Sequence, residues 1–199
     1  MEQLQNLYSG IHANPLLMAS LAAVIIPFAV IAVGYLISLL GEALAVLVSF
    51  FMDPWIVYAV INYLFFPGVM LHELSHALFA VLTGAKVTEV ALFKRSGESL
   101  GHVNFVNRGN MVIRALQNIF ISAAPMFGGT AVILLCRYIL MNVADLPVWG
   151  KVITIYIGVA MFFHMTMSKQ DIKVYVKGIP LFMGILFVVV LTLRLTGIV

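Results

Sequence analysis

Charge is scarce in this chain. Eight acidic and eleven basic residues make up 10% of 199 positions, where an ordinary soluble domain carries about a quarter. With 63% hydrophobic residues and a mean hydropathy of +1.09, the composition is that of a polytopic membrane protein. The net charge of +3 is small and scattered, which excludes nucleic acid as an expected partner. Cysteine is almost missing: Cys136 alone can form neither an intrachain disulfide nor a thiolate metal site, and is expected as a small apolar helix residue. No internal repeat or low-complexity tract breaks the pattern. Met1-Glu2-Gln3-Leu4-Gln5 lacks the basic start of a signal peptide, so the first apolar run is expected to persist as a span. The length suits a single membrane-embedded domain over residues 1–199.

What is present is long apolar runs. Residues 16–40, 112–136, 149–168 and 178–198 each approach the roughly 20 needed to cross the hydrocarbon core, and a fifth run covers 54–83. Asp53-Pro54 has the form of a helix start, with Asp as N-cap and Pro in the first turn. Pro67-Gly68 should kink or break that helix and free the carbonyl of Tyr63. The stretch 43–52 is apolar but too short to span; it is an interfacial or re-entrant piece, or joins residues 54–66 as a further span. The expected fold is therefore all-α, with five transmembrane helices, or six in the second case. Sorting the cations gives Lys86, Lys94, Arg95, Arg108, Lys169, Lys173 and Lys177 on one side, in the 85–111 segment and a 169–177 loop. Arg137, Lys151 and Arg194 fall on the other. The richer side is expected to face the cytoplasm of a multi-pass protein of the plasma membrane.

The segment Leu71-His72-Glu73-Leu74-Ser75-His76 places an HExxH pattern inside the apolar run. Positions i and i+4 share a helix face, so His72 and His76 can present two imidazoles to one Zn²⁺. Glu73 stands one residue on, where a carboxylate can act as general base toward a water the metal activates. An ionisable side chain near bilayer depth costs roughly 2.5–3.5 kcal/mol on insertion scales, and three within five residues imply a use.

A catalytic zinc takes three protein ligands and leaves a position for water. Asp171, in Ser168-Lys169-Gln170-Asp171, lies at the membrane side toward which the motif helix runs and is the favoured third ligand. Its competing reading is an interfacial carboxylate balanced by Lys169 and Lys173. His164 is the second candidate, sharing a face with Asp171 if one helix carries both. Glu89, Glu98 and His102 look too shallow, and Glu42, Asp53 and Asp145 fall on the far side.

Residues 86–106 change texture. β-branched and aromatic residues flank the polar cluster Lys94-Arg95-Ser96-Gly97-Glu98-Ser99, the pattern of a β-hairpin. It is either a cytoplasmic connector or an edge, through Val103, Asn104 and Phe105, that accepts an unwound substrate as an added strand. In the 112–136 run, Ala123-Ala124-Pro125-Met126-Phe127-Gly128-Gly129 serves as a packing seam or a substrate surface. Asn118 is placed to hydrogen-bond a substrate carbonyl or an oxyanion.

On His72-Glu73-Leu74-Ser75-His76 in a span, the following hairpin, the Ala124-Pro125-Met126-Phe127-Gly128 helix and the later Asp171, the chain resembles the site-2 protease family of intramembrane zinc metalloproteases. The likeness covers about residues 54–175. It departs from the family in one respect: no Asp here precedes Gly, and Ser168-Lys169-Gln170-Asp171 looks like the variant of compact, divergent members. The resemblance implies one Zn²⁺ per chain and hydrolysis of peptide bonds in a membrane-embedded protein or peptide. The rival is a metal-binding transporter or sensor, which would need several polar residues along a path through the bilayer. The spans offer only Asn62, Asn118 and His164.

Overall fold

The computed structural model describes Met1 and residues 14–92 and 100–198. The expected turn 94–99, with Lys94, Arg95, Ser96 and Glu98, and the chain's first residues after Met1 lie outside that set. Among the described residues the protein is mostly helical. The order is α1 (Pro15–Ser49), α2 (Pro54–Ala59), a π-helical turn (Val60–Leu64), α3 (Phe66–Leu82), β1 (Lys86–Ala91), β2 (His102–Val106), α4 (Met111–Asn142), α5 (Val148–His164) and α6 (Lys169–Leu195).

Each helix begins where local chemistry permits it. The Asn14 side chain accepts from the amides of Leu16 and Leu17, and Pro15 supplies a preset first-turn φ. Asp53 caps α2 through the Trp55 amide at 2.8 Å. Asn110 caps α4 through Ile113. Ser168 and Asp171 form a reciprocal capping box at the start of α6.

Three helices, α1, α4 and α6, are long and apolar enough to cross a membrane, and α2 with α3 make a fourth if their bent pair is one span. The 17-residue α5 is shorter; at 1.5 Å per residue it reaches about 26 Å. Among the described residues there are thus three or four candidate spans by length and composition, and the expected five or six are not confirmed. Residues 43–49 form neither a separate interfacial piece nor part of a span with 54–66. They continue α1, which runs unbroken for 35 residues because nothing in Ala43–Ser49 interrupts the helix. The expected 169–177 loop is also corrected: Ser168 caps a helix that starts at Lys169, nine residues before the apolar run at 178.

A break is present at Phe65, and Pro67-Gly68 lie just after it in the first turn of α3. α2 and α3 meet at 51°, after a π turn closed by the Phe65 amide on the Val60 carbonyl. The carbonyl seen to be taken up is Leu64's, which accepts from the Tyr156 hydroxyl on α5, rather than that of Tyr63.

α4 is the central element, packing on α3, α5 and α6. Ala123, Ala124, Pro125 and Met126 are all buried, and a Cβ on Gly128 would collide with the Ser75 side chain of α3. The small-residue run is thus a seam that draws α3 against α4. Tyr175 on α6 is fully buried and donates to the Pro27 carbonyl of α1 at 3.1 Å. Around it cluster Ile119, Ala123 and Ile179. β1 and β2 pair antiparallel, Lys86 with Val106 through Ala91 with His102, with a bulge between Val87 and Glu89. Val87 and Phe105 seat the sheet on Ala80, Ala85 and Ile121. Outward, Val24, Ile25, Phe28, Leu36, Leu40 and Leu47 of α1 stay exposed, a surface that water disfavours and lipid does not.

Candidate metal centre

α3 from Val69 onward carries no Gly or Pro, so its helix is regular where the two histidines stand one turn apart. Their rings meet with centroids 4.8 Å apart. Both are oriented by main-chain carbonyls of other helices. His72 Nδ1 donates to the His164 carbonyl at 2.6 Å, and His76 Nδ1 donates to the Ile121 carbonyl at 2.7 Å. A carbonyl can only accept, so each Nδ1 carries a proton, and in a neutral ring Nε2 is then a bare lone pair. Those two Nε2 atoms face one another at 3.2 Å.

The third group arrives from α6. Asp171 Oδ1 lies 3.3 Å from His76 Nε2 and Oδ2 lies 3.9 Å from His72 Nε2. Oδ2 is held in turn by the Ser168 amide at 2.8 Å. The ligand atoms of His72, His76 and Asp171 all fall within 4.8 Å of one another. Tetrahedral bonds of about 2.1 Å need ligand atoms about 3.4 Å apart, and the trio, within 4.8 Å, could hold a metal ion. With both rings neutral, three acceptors converge in a largely buried place, and a cation would relieve that repulsion.

No family model, curated protein or solved structure matches this chain. The centre's chemistry therefore rests on its own atoms. Glu73 is 8% exposed and lies near His76, Asp171 and His102. The hairpin reaches it: a Cβ on Gly101 would stand 2.8 Å from Glu73 Cγ. Next to Gly101, His102 Nε2 lies 3.5 Å from Glu89 Oε1, and Asn104 Nδ2 donates to Glu89 Oε2 at 3.0 Å.

Four sequence candidates, His72, Glu73, His76 and Asp171, are brought together. His164 is not a member of the trio. α5 ends at His164 and α6 starts at Lys169, so His164 and Asp171 share no helix face. The His164 imidazole bonds the Ala160 carbonyl, while its main chain orients His72. Asn118 is engaged by Asn107, and the neighbouring Gln117 joins the Arg108 amide to the Thr83 carbonyl. This pair ties the hairpin's exit to α4. Val103, Asn104 and Phe105 lie in β2 as expected, with Phe105 turned to the core.

Sequence reasoning missed the carbonyls of His164 and Ile121. Main-chain atoms carry no residue signature, so nothing in the letters marks them. Ser168 did have a signal: Ser-x-x-Asp is a capping-box pattern.

Proposed function

We propose that this chain is a zinc-dependent intramembrane endopeptidase, a compact relative of the site-2 proteases. It is read as a multi-pass plasma-membrane protein whose active site opens toward the cytoplasm. The observation that carries the reading is the convergence of two Nε2 lone pairs and the Asp171 carboxylate, with Glu73 at their flank. His72, His76 and Asp171 would hold the ion, which when bound supplies a Lewis acid for water and for a scissile carbonyl.

The chain's own residues do the rest. Glu73 accepts the proton of the attacking water and returns it to the leaving amine, the two halves of general base and general acid catalysis. The His164 and Ile121 carbonyls keep the imidazole protons on Nδ1, so Nε2 stays available throughout. A substrate helix hides its own carbonyls in hydrogen bonds and must unwind. Among the described residues the sheet has two strands, so each has one edge without a strand partner, and β2 would offer its backbone there.

The test combines metal analysis of the purified protein with a cleavage assay on a single-span substrate. About one Zn²⁺ per chain and cleavage that disappears in Glu73→Gln are expected. Cleavage by Glu73→Gln at the parent rate would refute the mechanism. A Ser96→Cys protein should label only from the cytosolic side; labelling from outside would invert the orientation.

A further inference from the structure

A second polar site lies between α4 and α6, and it is the chemical opposite of the metal centre. Here a groove of about 510 Å³ is lined by Asn110, Arg114 and Asn118 of the α4 side and Lys177, Pro180 and Leu181 of α6. Two cations face it and no acidic residue lines it. Arg114 Nε donates to the Gly109 carbonyl at 2.9 Å, which holds the guanidinium in place and leaves its terminal nitrogens to bond elsewhere. Among the described residues neither Arg114 nor Lys177 has a carboxylate partner.

The helix crossing sets the spacing of the two cations. A Cβ on Gly178 would stand 2.7 Å from the Ala115 carbonyl oxygen and 2.8 Å from Ile119 Cγ1. The helices therefore nearly touch beside Lys177 and Arg114. α4 starts at this end, at Met111, and α6 passes it in the opposite sense, bringing Lys177 to the groove one residue before its apolar run. Where α4 enters a bilayer, the groove at its start lies at the depth of the lipid phosphates.

We propose that this groove binds the phosphate of an anionic phospholipid headgroup, with the Arg114 fork and the Lys177 ammonium as its ligands. A guanidinium matches two phosphate oxygens at once, and an ammonium adds a point charge. A phosphate held by both would also fasten α6, which carries Asp171, to α4, whose Ile121 carbonyl orients His76. Asp171 lies six residues before Lys177 on α6, about 9 Å along the axis, and Ile121 lies seven after Arg114 on α4, about 10 Å along.

Native mass spectrometry on the purified full-length protein tests this without any appeal to catalysis. Phosphatidylglycerol should bind in preference to phosphatidylcholine by roughly 30-fold, the factor two interfacial cations supply. The preference should vanish in Arg114→Gln/Lys177→Gln and survive in Arg137→Gln/Lys151→Gln, which removes the same charge elsewhere. Arg114→Lys/Lys177→Arg should keep it, which separates lost ligands from a misfolded chain. Equal binding of the two lipids by the parent would overturn the proposal, as would a preference that survives Arg114→Gln/Lys177→Gln. Full displacement of the lipid by millimolar inorganic phosphate would reassign the groove to a free anion.

Discussion

The candidate metal centre, where α3 meets α6, and the groove between α4 and α6 differ in what they lack. At the metal centre, lone pairs of His72 and His76 meet the Asp171 carboxylate, largely out of contact with solvent. At the groove, Arg114 and Lys177 face open space, and both are exposed. One site is all acceptor and calls for a cation; the other is all donor and calls for an anion. Burial then sets the stakes. Convergent acceptors in a low-dielectric place repel strongly and are costly when unmatched. Exposed cations are screened, and either one alone contributes little. The inner site should therefore respond to substitution by loss, and the outer one by a graded, salt-sensitive shift.

The sharpest way to break this contrast is to remove an imidazole. His72→Ala or His76→Ala should abolish stoichiometric zinc, since two remaining ligands do not hold a catalytic ion; metal analysis decides it, and stoichiometric zinc in the double variant would sink the centre. Glu73→Gln should keep the metal and lower turnover by about a hundredfold or more. Asp171→Asn should weaken zinc by more than the roughly hundredfold expected from losing an outer partner. Asp145→Asn, in the α4–α5 connection, should bind zinc like the parent.

Smaller effects sharpen the difference between ligand and support. Ser168→Ala removes the side chain that accepts from the Asp171 amide. It should cost roughly 10- to 100-fold in zinc affinity, with the ion still bound at saturation. A proline at one of Val103, Asn104 or Phe105 should lower cleavage by roughly tenfold while zinc stays in place, because it deletes a backbone donor. Alanine at the same position should be milder, and uniform cleavage across the proline series would leave the hairpin as a connector. Smallest of all, Tyr175→Phe loses its bond to the Pro27 carbonyl. Thermal unfolding should register about 1 kcal/mol, with zinc content unchanged.

Sequence alone settles what short-range rules govern. The HExxH spacing puts His72 and His76 on one face because helical period requires it. Asp53-Pro54, Pro67-Gly68 and the alternating texture around 86–106 act through the chain's nearest neighbours, and the helix start, the break and the hairpin lie where those rules put them. The length of α1 and the early start of α6 needed more care: hydropathy marks what sits in lipid, whereas a helix continues for as long as its backbone is uninterrupted. Only the tertiary structure shows which of Asp171 and His164 stands beside the two histidines. The two are seven residues apart and either side chain can ligate a metal, but the turn at Met165–Ser168 brings the Asp171 side chain to them and leaves the His164 carbonyl to orient His72. The same holds for Ile121 behind His76 and for Lys177 beside Arg114. These partners lie 45 and 63 residues apart, and no local preference reaches that far; helix packing alone brings them to the same place.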